Sequence, residues 1–411
     1  MTINLTPDPT LDDSPTMTRT ELRASGSLAS IFALRMLGLF LVLPVFALEA
    51  RKYPGGDDPA LIGLAMGIYG LTQGILQIPF GMASDRLGRK RVIIFGLLVF
   101  ALGSLVAGGA DTLMGVLAGR ALQGAGAVSA AVTALLADLT RDVVRTKAMA
   151  LVGASIGLMF ALSLVVSPVI AAHIGLSGLF VLTAVLALLG TAVMVWVVPP
   201  EPVVHKDAAR GGLRHVLSSP ALLRLNIGVF VLHAVQLAMW VAIPAFLVQA
   251  GLGKDDHWQI YLPAVLGSFV LMGGVFPLER RGYLRAVFLS AIALIALVQV
   301  ALLWVSSGAP SVLCLAWLLF AFFCGFNVLE ATQPSLVSRI APASSRGAAM
   351  GVYNTLQSLG FFAGGVMGGQ LVKSYGTQGL FLTCAALMVL WLVVAWPMVA
   401  PKRPAHSAKT P

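Results

Sequence analysis

The sequence predicts an all-α integral membrane protein with twelve transmembrane helices in two pseudo-symmetric six-helix bundles. Three observations predict it: an apolar, charge-poor composition, twelve apolar stretches of spanning length, and an internal repeat at an offset of 201 residues. Of 411 residues, 58% are apolar and only 11% are Asp, Glu, Lys or Arg, whereas soluble domains carry about a quarter charged residues. A spanning helix takes about 20 largely apolar residues, because the hydrocarbon core is roughly 30 Å thick and a helix rises about 1.5 Å per residue.

Such stretches run over 28–50, 61–83, 92–110, 113–137, 147–172, 178–199, 222–250, 258–278, 286–306, 311–338, 347–373 and 378–400. Residues 1–27 are rich in Thr, Asp and Pro and lack the basic-then-apolar order of a cleaved signal, so they read as a cytosolic tail. The first bundle then occupies 28–199, a polar cytoplasmic linker 200–221, the second bundle 222–400, and a second cytosolic tail 401–411. Twenty-one of the 27 Lys and Arg residues fall in the tails and even-numbered connections, two fall within spans, and the odd connections hold Arg51, Lys52, Lys254 and Lys373. By the positive-inside rule both termini face the cytoplasm, which an even number of spans requires. The net charge of +10 is largely this topology signal, and no nucleic-acid-binding motif accompanies it. The three cysteines, Cys314, Cys324 and Cys384, lie inside spans without metal-ligand spacing and read as small packing residues.

The 201-residue offset places Arg145 on Arg346, Ala148 on Ala349, Met149 on Met350, Gly124 on Gly325 and Ser167-Pro168 on Gly368-Gly369. Weak similarity between halves marks transporter folds. Between the second and third spans, the run from Gly81 to Arg91 contains Asp85, Arg86, Gly88, Arg89 and Lys90, and it has a faded echo from Glu279 to Arg285, seven residues off the repeat register. Gly81 and Gly88 permit close approach and a sharp turn. Asp85 is placed to face the positive N-terminal end of the eleventh span, and Arg89 to reach Asp138 at the end of the fourth. These contacts would latch the halves together; the competing reading has the cations of the run only fixing topology and meeting anionic lipid heads.

The loop from Gly81 to Lys90 resembles the signature of the major facilitator superfamily, and Arg120, Gln123, Gly124 and Gly126 resemble the fourth-span motif of its proton-coupled members. The likeness runs over nearly the whole membrane region and is strongest to the YajR branch of the drug:proton antiporter group. That resemblance implies a multi-pass protein of a bacterial inner membrane, monomeric, surrounded by lipid, and a role for Arg120 in proton coupling. It also implies the absence here of the soluble C-terminal domain that members of the branch can carry. The fifth-span antiporter motif is altered: Gly153 and Gly157 are present, but the later positions read Ser167-Pro168 and Ala171-Ala172. Pro168 is either a helix bend or part of an outer gate.

Ionisable groups inside a bilayer are functional candidates. Arg35, in the first span, either snorkels to the nearby surface or takes part in coupling. Arg120 stays charged, so its expected role is to tune an acid partner or to bind an anion. Glu330 is the expected proton carrier and His233 its rival. Asn226, His233, Gln236 and Trp240 form a polar stripe on the seventh span. With Tyr69, Gln73, Gln77, Gln123, Asn327, Asn354 and Gln357 they outline a candidate substrate cavity, amide bridging between helices being the alternative.

No catalytic, nucleotide-binding or metal-binding motif is present in the sequence, so no enzyme, metal or cofactor is expected. The expected function is secondary active transport: proton-driven export of small amphipathic compounds by alternating access, with the proton gradient as energy source and no nucleic acid as partner. Proton-coupled uptake of a metabolite and a non-transporting membrane sensor or scaffold are the alternatives.

Overall fold

The computed structural model describes residues 16–201, 213–308, 310–342 and 345–398. Among them every regular element is helical. The first helix, α1 (Arg19–Glu49), begins nine residues before the expected span. Thr18 and Glu21 form a reciprocal capping box, so the helix continues through polar turns beyond its apolar part. Arg35 therefore lies mid-helix, and the expected proximity to a helix end is corrected. Asp58 accepts from the amide of Ala60 and Pro59 sets the first turn of α2 (Pro59–Leu87). Gly88, at φ +97°, turns the chain into α3 (Arg89–Gly108).

The fourth span is broken, where a continuous helix is expected: α4 (Leu113–Ala125) stops and α5 (Ser129–Asp138) restarts after a gap of three residues. Tight glycine contacts accompany the break. A Cβ on Gly124 would lie 2.2 Å from the Tyr69 carbonyl oxygen, and one on Gly126 would lie 2.4 Å from that of Gly96.

The expected fifth and sixth spans join as α6 (Asp142–Trp196), and the eleventh and twelfth as α12 (Arg346–Ala395). At 55 and 50 residues each is far too long for one crossing. Gly175 (φ +64°, ψ −172°) and Gly376 (φ +67°, ψ −171°) divide them into two arms at a backbone geometry that needs glycine. These glycines are 201 residues apart, the offset of the repeat. The repeat extends to side chains: Arg145 donates to the Ala137 carbonyl at 3.2 Å, and Arg346 to the corresponding Ser338 carbonyl at 2.9 Å. Gly282, in the echo of the charged run, has φ +96° beside Gly88 at +97°.

After a short helix α7 (Leu213–Ser218), α8 (Pro220–Gln249), α9 (Trp258–Arg280), α10 (Leu284–Val305) and α11 (Val312–Ile340) complete the second half with α12. Among the described residues ten hydrophobic segments are long enough to cross a membrane, and α6 and α12 each comprise two arms joined at a glycine. Within halves, α1 packs on α6, α3 on α4 and α6, α8 on α12, and α9 on α11; between halves, α2 packs on α12, α6 on α9 and α1 on α8.

The halves close at one end and part at the other. Towards Glu49, α2 and α12 touch backbone to backbone: a Cβ on Gly63 would lie 2.1 Å from the Gly365 oxygen, and one on Gly70 would lie 2.3 Å from that of Ser358. Further along, a Cβ on Gly74 would lie 3.1 Å from a Leu359 side chain, and one on Gly81 would meet within 4 Å only Ala130 of its own half, at 3.7 Å. At the Asp85 end, added carbons on Gly153, Gly157, Gly347 and Gly351 meet nothing within 4 Å. The cleft between the halves therefore opens towards Asp85.

Candidate functional site

Two buried arginines organise the first half. Arg35 donates to Tyr69 Oη at 2.7 Å, Ser129 Oγ at 3.1 Å, Gln73 Oε1 at 3.4 Å and the Gly126 carbonyl at 3.4 Å, and its guanidinium lies 5.3 Å from the Phe100 ring centre. The break between α4 and α5 thus places the Gly126 carbonyl, which also accepts from the Val128 amide, and the Ser129 hydroxyl before a cation, which complements the negative end of α4. Arg120 donates to the Met66 carbonyl at 3.1 Å, the Ala65 carbonyl at 3.4 Å and Gln123 Oε1 at 3.2 Å, and its guanidinium lies 5.3 Å from the Tyr69 ring centre. Gln123 passes the chain on to Ser104 Oγ at 2.8 Å. Among the described residues, no carboxylate bonds either arginine. The acid partner expected for Arg120 is absent; neutral oxygens of α2 and α4 fill its donors.

The second half holds an acid and a base in contact. Glu330 Oε2 lies 3.3 Å from His233 Nε2, and Gln357 Nε2 reaches both Glu330 Oε1 at 3.2 Å and His233 Nε2 at 2.8 Å. His233 Nδ1 is 2.8 Å from the Val229 carbonyl. A carbonyl only accepts, so Nδ1 carries a hydrogen and Nε2 of the neutral ring accepts from Gln357. His233 is buried while the Glu330 side chain is 37% exposed. The two rivals for proton carriage are neighbours, brought together from α8 and α11 and bridged by Gln357 of α12. Phe361 and Phe326 flank the imidazole, with ring centres at 4.9 and 6.0 Å. Phe160 of α6 crosses from the first half to Phe323 and Phe326, 6.1 Å from each.

Of the other cavity candidates, Asn354 and Gln357 remain partly exposed, whereas Tyr69, Gln73, Gln77, Gln123, Asn226, Gln236, Trp240 and Asn327 are buried. Asn327 donates to Ser268 Oγ at 2.8 Å and so ties α11 to α9. Gln77 and Asn226 are buried with neither amide atom hydrogen-bonded, as are Gln236 Oε1 and Trp240 Nε1.

In the charged turn Arg89 pairs with Asp138, and with Asp85 at 2.7 Å. Asp85 is 62% exposed, Arg86 is exposed, and among the described residues no hydrogen bond joins Asp85 to the start of α12. The expected cross-bundle contact is not made, because the halves are separated at this end. Glu201, unnoticed in the sequence, accepts from the amides of Arg89 and Lys90 at 2.8 and 3.2 Å and caps α3.

At the closed end, Glu49 receives Lys52 at 2.6 Å and, across the halves, Lys254 at 2.9 Å. Asp58 pairs with Lys373 at 2.8 Å, again across the halves. Hydrogen bonding from Lys373 holds the Asp58 carboxyl below its usual value. Pro168 lines a small cavity with Glu49 and Lys254, while Gly153 and Gly157 sit where α6 is free of neighbours. The sequence signal was available: Lys52, Lys254 and Lys373 are three of the four basic residues in the odd connections.

The sequence profile of the Major Facilitator Superfamily matches residues 28–360 and 277–411. The chain belongs to this superfamily. It is 44% identical over 393 residues to the inner membrane transport protein YajR of Escherichia coli (strain K12), covering 94% of this chain and 85% of that protein. It is 26% identical to multidrug resistance protein MdtH of Aeromonas salmonicida (strain A449), over 84% and 86% of the two chains. Among solved structures, a bacterial homologue of the human lysosomal transporter Spinster, inward-facing and occupied, has a TM-score of 0.71 at 14% identity over 93% and 96% of the chains. A peptide transporter of the POT family scores 0.73 at 14% identity over 91% and 95%. Like its superfamily, the chain is a multi-pass membrane transporter of small molecules and not an enzyme.

Proposed function

We propose that this transporter exports small amphipathic compounds in exchange for protons, by alternating access, and that Glu330 with His233 forms the proton site. The observation that carries this is the contact of the partly exposed Glu330 side chain with a buried imidazole. With Nδ1 committed to Val229, a proton arrives at Nε2. That atom changes from acceptor to donor, loses the Gln357 hydrogen bond and pairs with Glu330 Oε2. Proton loading thereby exchanges a bond to α12 for an ion pair to α11. A ring of phenylalanines beside this site suits an apolar, adaptable substrate.

The lysine and arginine bias assigns the Asp85 end and both termini to the cytoplasm of an inner membrane, so the open cleft faces inward. In this reading the Glu49–Lys254 and Asp58–Lys373 pairs close the outer face, Pro168 packs beside that closure, and the proton gradient supplies the energy without a cofactor. The relative named for multidrug resistance is consistent with export. The working unit is taken as a monomer.

The test uses proteoliposomes with an internal pH-sensitive dye and a panel of cationic and neutral amphiphiles. A compound that moves protons with the wild type and not with Glu330→Gln supports the reading, and the direction of flux identifies export. Proton flux that persists in Glu330→Gln removes that residue from the path, and substrate flux with no proton movement overturns the coupling.

A further inference from the structure

A groove of about 540 Å³ lies where α1 and α3 begin and α6 ends, lined by Arg19, Thr20, Arg23, Lys90 and Trp196, with Val195 and the segment Val198 to Pro200. We propose that it binds the headgroup of an anionic phospholipid.

Three cations share this one concavity. Arg19 and Arg23 are four residues apart and stand on one face in the first turns of α1, and Lys90 is in the first turn of α3. Cations at helix N-termini face the positive ends of the helix dipoles, so all three raise the local positive potential. The nearby acids are engaged elsewhere. Glu21 is held by Arg141, with Oε1 2.9 Å from Nε and Oε2 3.0 Å from Nη2, and Glu201 caps the backbone of α3. Arg23 donates through Nε to the Val197 carbonyl at 2.9 Å, and Lys90 Nζ to that of Val198 at 2.9 Å. Each bond fixes its side chain against the groove while using one donor of several.

The apolar wall gives the position relative to the bilayer. Trp196, 77% exposed at the last residue of α6, is an amphipathic ring where a spanning helix leaves the hydrocarbon. Val195 and Val197 beside it are exposed at 48% and 40%. A phosphodiester seated on Arg19, Arg23 and Lys90 directs its glycerol and first acyl carbons along this apolar edge. An anion without a hydrocarbon tail uses only half of the surface, which favours lipid over a soluble phosphate.

The protein is delipidated in detergent and offered equimolar phosphatidylglycerol and phosphatidylcholine, with retained lipid counted by native mass spectrometry. The wild type is expected to retain phosphatidylglycerol preferentially. Arg19→Gln, at an exposed side chain, is expected to cost about five-fold in that preference, and the triple exchange of Arg19, Arg23 and Lys90 to Gln on the order of 100-fold, from roughly 1 kcal/mol per basic residue near a surface. A thermal melt identifies any loss caused by misfolding of the triple variant, and Arg19→Gln then carries the test. Equal retention by wild type and Arg19→Gln, or no preference between the two lipids, overturns the proposal. Displacement of the lipid by inorganic phosphate but not by chloride at matched ionic strength identifies a free-phosphate site and overturns it as well.

Discussion

The two halves bury their charges differently. In the first half, Arg35 and Arg120 bond carbonyls, hydroxyls and amides and both contact Tyr69, and among the described residues no carboxylate bonds either. In the second half, an acid and an imidazole touch, and the acid's side chain is partly exposed. Since a guanidinium does not deprotonate in proteins, the first arrangement is a fixed cationic scaffold, whereas the second can change its hydrogen bonding with one proton. On the proposed reading, two repeats of one design have separated rigidity from switching.

The largest effect that sharpens this contrast is expected at Arg120. Arg120→Ala removes a side-chain donor from the Ala65 and Met66 carbonyls, which keep their bonds within α2, takes the Arg120 donor from Gln123 Oε1, and opens a cavity between α2 and α4. A loss of about 3 kcal/mol or more in stability follows, seen as reduced folded yield and an earlier thermal unfolding. Unchanged unfolding with transport abolished would break the scaffold reading and make Arg120 a working group. At His233 the expectation reverses. His233→Gln keeps a partner for Gln357 but carries no proton, so substrate binding falls by no more than about five-fold, near the 1 kcal/mol of one hydrogen bond, while proton flux ceases. Proteoliposome flux measured alongside ligand binding separates the two.

What the sequence disclosed follows the range of the interaction. Arg89 and Asp138 are polar groups at span ends, where few partners compete, and their pairing is readable; so is the repeat, whose offset reappears in the Gly175 and Gly376 turns. The depth of Arg35 was misread because apolar length marks the bilayer, not the helix, and the capping box at Thr18 extends α1 outside it. The His233–Glu330 contact needs the relative placement of α8 and α11, which spacing along a chain does not contain. The Glu49–Lys254 pair spans 205 residues and joins opposite halves. In the sequence its lysine is one of a few cations on the charge-poor face, and their scarcity is itself the clue to their partners.

A smaller effect on stability is expected at Asp85, where the comparison moves from the halves to the ends of the cleft. Arg89 keeps Asp138 in Asp85→Asn, so an exposed pair worth about 0.5 kcal/mol is all that the fold loses. Transport is expected to fall sharply if Asp85 meets the start of α12 each time the Asp85 end closes. Unchanged flux in a protein of unchanged thermal stability would remove that latch.

The smallest effect concerns Asp58 and Lys373, whose side chains are 39% and 51% exposed. The pair joins the halves at the closed end, but solvent screening limits it to well under about 1 kcal/mol. Its pH dependence has a definite sign. Asp58 has a lowered pKa in the closed state because Lys373 stabilises the carboxylate, so the contribution is complete above the ordinary carboxylate range and lost as pH falls through the lowered value. Spin labels placed on either side of this pair should therefore report a constant closed distance from neutral to mildly acidic pH, with loosening confined below the usual aspartate value. In Asp58→Asn that acid limb disappears while the glycine contacts of α2 with α12 and the Glu49–Lys254 pair keep the end closed. Opening at neutral pH in this variant would show that the exposed ion pair, and not the backbone packing beneath it, holds the halves together.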